Sequence, residues 1–163
     1  MKFKVTEKLV AERHQRLNDY IQEKLLKTTR QRTDIADVFF RTGSHLSIEE
    51  LLELARKKNK KVGYATVYRT LKLLADAGLA NERFFGDKIA RYEVNEADEH
   101  HDHMVCLSCH KIIEFENEEI ERLQLLAARS HGFRLVKHRL ELYGVCRDCQ
   151  QAGKGMQYQE ALR

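Results

Sequence analysis

Apolar residues recur at helical spacing from about Thr6 to Leu26, with Leu17, Tyr20, Ile21, Lys24 and Leu25 on one side, while the first dozen residues are very polar and are expected to fray. Thr29 is placed to cap a second helix carrying Ile35, Val38, Phe39 and Phe40, which stops before Thr42-Gly43. Ser47 through Glu50 read as a capping box: the serine hydroxyl accepts from the third helical N–H while the glutamate reaches back to the serine N–H. Ile48, Leu51, Leu52 and Ala55 follow at i, i+3, i+4 and i+7, which predicts a third helix. A basic turn from Lys57 to Gly63 leads to a fourth over residues 64–77, with Val67, Leu71 and Leu74 inward and Gly78 as the stop. Residues 80–94 then predict a hairpin: Phe84 and Phe85, a Gly86-Asp87 turn, and Ile89 to Val94.

Helices followed by a hairpin make a winged helix-turn-helix pattern, in which residues 64–77 would enter a major groove. Its outward residues Thr66, Tyr68, Arg69 and Lys72 can bond phosphate, touch a thymine methyl or meet guanine. A solvated charged helix in a small helical domain looks the same, so this segment alone leaves both readings open. After an acidic linker, Asn95 to Glu99, residues 100–106 and 110–116 read as strands. Glu118 to Ser130 reads as a helix with Ile120, Leu123, Leu126 and Ala127 inward, stopped by His131-Gly132. Phe133 to Val145 predicts one long strand carrying His138, and 150–163 a polar tail, frayed helix or disorder. The expected class is therefore α+β: a winged-helix DNA-binding domain over 1–95, a small metal-binding α/β domain over 96–149, then the tail. A second domain of about 50 residues has a thin core, so it needs metal, a partner subunit or both.

Composition narrows the class. With 163 residues, 42% hydrophobic and 33% charged, the chain fits one ordinary soluble domain or two small ones. No apolar run reaches membrane-spanning length and the start lacks a secretion signal, so a cytoplasmic protein without a membrane partner is expected. The net charge of +4 is uneven: residues 1–95 hold 20 Lys+Arg against 13 Asp+Glu, and residues 96–163 hold 9 against 12. The basic front half points to a polyanion and the acidic, His- and Cys-rich back half to cations.

Two Cys-x-x-Cys pairs, Cys106/Cys109 and Cys146/Cys149, separated by 36 residues, suit tetrahedral zinc with a closed, structural role. A redox pair would need only one motif, at a helix start after a buried strand, whereas Cys106 and Cys109 join two strands. Ahead of them runs His100-His101-Asp102-His103. In an extended strand His101 and His103 share one face and His100 and Asp102 the other, so one strand can serve two metal sites. Glu93, Glu114, Glu121 and His138 recur on both sides, a mixed N/O set that suits Fe(II), Zn(II), Mn(II) or Co(II). Taken alone, His45 reads as a surface loop histidine.

The segments HHDHMVCLSCHKIIEF (100–115), ATVYRTLKLLADAGL (65–79) and RYE (91–93) resemble the ferric uptake regulator (Fur) superfamily, in this order and over roughly residues 15–149. The resemblance implies a dimeric, metal-activated repressor of palindromic operator DNA with a C-terminal dimerisation domain, and leaves open whether dimers pair into tetramers. It implies a regulatory site of His45, Glu93, His101, His103 and Glu114, with Fe(II) expected and Zn(II) or Mn(II) able to substitute. A second site of His100, Asp102, Glu121 and His138 and a structural Zn(II) on Cys106, Cys109, Cys146 and Cys149 follow in the same way. Tyr68 and Arg69 match residues that meet DNA, and Lys27 falls in a basic segment near the minor groove. His110 stands where many members have glycine. Zinc-, manganese- and peroxide-responsive regulators share most of these ligands. From other classes, a deaminase would need His-x-Glu with Pro-Cys-x-x-Cys and a zinc protease HExxH, and neither occurs. A metal-storage or trafficking protein would not need the basic front half.

Overall fold

The computed structural model describes residues 5–95 and 101–158, and the chain divides into two compact units, Lys2–Ala97 and Asp98–Arg163. In the first unit α1 spans Glu7–Glu23, α2 Arg30–Thr42, β1 Leu46–Ser47, α3 Ile48–Lys58, α4 Tyr64–Asp76, β2 Ala80–Phe84 and β3 Ala90–Val94. The polar start does not fray from Glu7 onward: the Thr6 hydroxyl accepts from the Leu9 N–H at 3.3 Å, and Arg41 grips Glu7. Inward on α1 lie Val10, Arg13, Leu17 and Ile21, with Arg13 donating to the Phe40 carbonyl at 2.7 Å. Lys24 and Leu25 do not continue this face. The helix ends at Glu23, and Leu25, in a left-handed turn, is exposed.

Thr29 caps α2 as expected, and Gly43 ends it in the left-handed region. Both arms of the capping box form at α3: the Glu50 N–H donates to Ser47 at 3.2 Å and the Ser47 N–H to Glu50 at 2.7 Å. On α4, Val67, Thr70, Leu71, Leu73 and Leu74 are buried. Together with Ile35, Phe39, Phe40, Leu51, Leu79 and Tyr92, the four apolar residues among them build one hydrophobic core. β2 and β3 pair antiparallel with Glu82 opposite Tyr92, and β1 adds a third strand to β3. Two residues are too short for a period-2 signal, so β1 is not legible in the sequence. The result is a winged helix-turn-helix.

The second unit holds β4 Asp102–Cys106, β5 Ile112–Phe115, α5 Glu118–Ser130, β6 Glu141–Gly144, α6 Arg147–Gln151 and a 3₁₀ turn at Met156–Tyr158. The sheet order is β5-β4-β6, antiparallel on one side and parallel on the other. Two expectations fail here. α5 forms with an Asn117 cap, but none of its residues is buried, so Ile120, Leu123, Leu126 and Ala127 do not enter a core within this chain. The long strand shrinks to β6: among the described residues Glu141 to Gly144 pair with β4, and residues 133–140 form no regular strand. His138 therefore lies on an irregular segment.

Residues 152–158 pack back onto their own unit. Gly155 lies so close to Val145 that a Cβ there would meet its side chain at 2.7 Å, and Tyr158 reaches the Leu107 carbonyl at 3.5 Å. Among the described residues, no helix is long and apolar enough to cross a membrane.

Candidate metal centres and nucleic-acid interface

Four cysteines converge from the β4–β5 knuckle and from the start of α6. Their sulfurs lie within 4.8 Å of one another, all four are free, and Cys109 and Cys146 are 3.7 Å apart. That separation far exceeds a disulfide bond, and it matches the roughly 3.8 Å edge of a tetrahedron with Zn–S bonds of about 2.3 Å. The thiols do not ionise independently. Burial opposes ionisation of Cys106, but the backbone N–H groups of Cys146, Cys109 and Ser108 bring it down to about 6. The Lys111 N–H favours the Cys109 thiolate, yet the Cys106 sulfur, burial and the sulfurs of Cys149 and Cys146 push Cys109 up to about 12. Crowded sulfurs resist a second negative charge unless a cation joins them, so the donor set fits zinc. His110 follows the knuckle at φ 58°, a left-handed conformation that glycine adopts without steric cost.

A second cluster sits across the same unit. Asp102, Glu121 and His138 each offer a ligand atom within 4.8 Å of the others. His138 Nε2 is 3.2 Å from Glu121 Oε1 and 4.0 Å from Asp102 Oδ1, and Asp102 is buried. Two carboxylates and an imidazole form a donor set for a borderline divalent ion. His100, expected beside them, lies outside the described residues.

The remaining expected ligands fall in both units. In the first, His45 Nε2 contacts Glu93 Oε2 at 2.6 Å, and the Phe85 ring stands edge-on to His45 at 5.3 Å. Arg83 donates to the other Glu93 oxygen at 2.8 Å and Asn81 at 3.3 Å. Asn81 and Arg83 are supports that sequence reading missed; finding them required the β2–β3 register, in which Asn81 opposes Glu93. In the second unit the His101 and His103 rings are 4.9 Å apart, and His103 opposes Glu114 across β4 and β5, so these groups share one sheet face.

On α4, Tyr68 and Arg69 are exposed and Thr66 half-buried, and Lys27 is exposed after α1. Lys72 is engaged elsewhere: its ammonium pairs with Glu82 at 3.0 Å.

A model of the ferric uptake regulator family matches residues 23–143. The ferric uptake regulation protein of Campylobacter jejuni is 42% identical over 137 residues, covering 83% of this chain and 87% of its own. The Helicobacter pylori ferric uptake regulator Fur, described as having three functional metal binding sites, superposes with a TM-score of 0.79 at 35% identity, over 86% of this chain and 93% of its own. A zinc-bound manganese uptake regulator gives 0.68 at 45% identity, over 80% and 98%. With a winged helix, a four-cysteine cluster and relatives matched over most of both lengths, the chain belongs to the ferric uptake regulator family.

Proposed function

We propose that this protein is a metal-dependent transcriptional repressor that acts in the cytoplasm and binds palindromic operator DNA as a homodimer when a regulatory site holds a divalent ion, Fe(II) first. The observation that carries the reading is the division of the ligands: a preformed His45–Glu93 pair in the winged-helix unit, and His101, His103 and Glu114 on one sheet face of the other. One ion held by all five draws on both units. Such an ion supplies positive charge and fixed coordination directions. Arg83 and Asn81 orient Glu93, and Glu93 orients His45, so the first unit presents its two donors already aimed.

Cys106, Cys109, Cys146 and Cys149 hold a structural zinc that fastens the β4–β5 knuckle to α6. Asp102, Glu121 and His138, with His100, hold a second ion that ties α5 to β4. Exposed Met104, Ile113 and Leu142 on one sheet face, with Leu123 and Leu126 on α5, leave an apolar surface that a second copy would cover. In the dimer each α4 turns Thr66, Tyr68 and Arg69 to a major groove, and Lys27 approaches the backbone. Half-sites must lie near an integral number of turns apart, so fixing the two units together fixes which DNA is gripped. The ion acts as effector through its higher affinity for that arrangement.

A manganese-responsive regulator is the second reading, favoured by the 45% identity to a manganese uptake regulator and by a donor set that accepts either metal. The test is duplex binding by a His101→Ala/His103→Ala protein with and without Fe(II) or Mn(II). Loss of the metal response, with the cysteine-bound zinc retained, supports the reading, and an unchanged response overturns it.

A further inference from the structure

Glu82 stands in the middle of β2, at the root of the wing, directly opposite Tyr92 on β3. Both of its oxygens are occupied: the Tyr92 hydroxyl donates to Oε1 at 2.6 Å, and the Lys72 ammonium to Oε2 at 3.0 Å. Tyr92 is buried in the core, so the carboxylate is anchored to the sheet and cannot follow Lys72 elsewhere. The Lys72 ammonium also lies 5.9 Å over the Tyr68 ring, which places it among the outward side chains of α4. A lysine there would ordinarily be a phosphate contact. In this chain it can reach a phosphate only by leaving the Glu82 carboxylate, whose side chain is 30% exposed. The Tyr92 hydrogen bond, then Lys72, hold that carboxyl below the ordinary range in spite of burial, so it stays charged at neutral pH.

Resting on the proposed DNA-binding role of α4, we infer that Glu82 is a positioning residue that withholds Lys72 from the DNA backbone and so limits affinity for duplex DNA. The pair presents no net charge where the helix meets the duplex, and the fixed carboxylate repels phosphates that come close. Backbone attraction is independent of sequence, so the withheld contact lowers affinity for any duplex and its salt dependence with it.

The experiment uses the full Mn(II)-loaded chain and a mixed-sequence duplex, with affinity measured over a salt series for the wild type, Glu82→Gln, Lys72→Gln and the double variant. Glutamine can still accept from Tyr92 but carries no charge. Glu82→Gln is expected to tighten binding several-fold at low salt and to steepen the slope of log affinity against log salt by about 0.9 per chain, the signature of one added phosphate contact. Lys72→Gln alone should leave the slope at its wild-type value, and the double variant should return to it. A purely structural role for Glu82 would leave every slope alike. An unchanged slope in Glu82→Gln, or a Lys72→Gln slope flatter by about 0.9, overturns the inference while leaving the regulator reading in place. A wild-type protein that bound no duplex with or without Mn(II) would sink both.

Discussion

Leu25 occupies the position just past α1 with φ 52°, although it is 92% exposed and makes no use of its side chain there. The Leu25 N–H donates to the Gln22 carbonyl and the Leu26 N–H to the Ile21 carbonyl, a pair of bonds repeated after α4 at Gly78 and after α5 at Gly132. At those two positions glycine adopts the left-handed turn without steric cost, and both stops are legible in the sequence. Leucine in the same turn gives no such sign, which is why the apolar spacing through Leu25 overruns the helix. A Leu25→Gly variant is expected to be more stable by about 1 kcal/mol, because relief of left-handed strain exceeds the added freedom of the unfolded chain. Urea unfolding with an unchanged slope and a raised midpoint would show it; a lowered midpoint would refute it. The clustering of His, Cys, Asp and Glu was legible by residue type and parity, whereas Asn81 and Arg83 were not, since only strand register brings them to Glu93.

Helix starts were the most readable elements. Thr29, Ser47 and Glu50 each perform the bond that their position implies, because a cap is a local contract between a side chain and an N–H three residues away. The α5 face and the 133–140 segment were misread for the opposite reason: apolar spacing tells that a face is to be covered, not that this chain covers it. How the helices of the first unit are tied is clearest at Asp37 on α2. It receives Lys58 of α3 at 2.6 Å, Arg41 at 2.9 Å and His14 of α1 at 3.3 Å. Burial pushes its carboxyl up, but Lys58, Arg41 and His14 more than offset this and hold it below the ordinary range. A carboxyl depressed by folding contributes stability that is present above the unfolded value and lost as pH falls through the folded one. Asp37→Asn is therefore expected to cost about 1–2 kcal/mol near neutrality, with the gap closing as pH drops below about 4. Equal destabilisation at all pH values would contradict the ion-pair account.

For the whole chain, the winged helix and the four-cysteine cluster were readable because each depends on short, fixed spacings. What spacing could not give was which backbone segments pair, hence the short β6 and the irregular placement of His138. Among the described residues the second unit buries few apolar side chains, chiefly Val105 with Cys106 and Cys149, which is the thin core expected of so short a domain. The decisive measurement is a titration of the zinc-replete protein, stripped of other metals, with Mn(II) or anaerobic Fe(II). Binding is followed on a palindromic duplex selected from a random pool by the metal-loaded protein, with metal content determined at each step. Affinity is expected to rise by at least about tenfold, equivalent to roughly 1.4 kcal/mol of coupling, as the non-cysteine sites fill, and to fall back on chelation. Equal affinity in the filled and stripped states would contradict it.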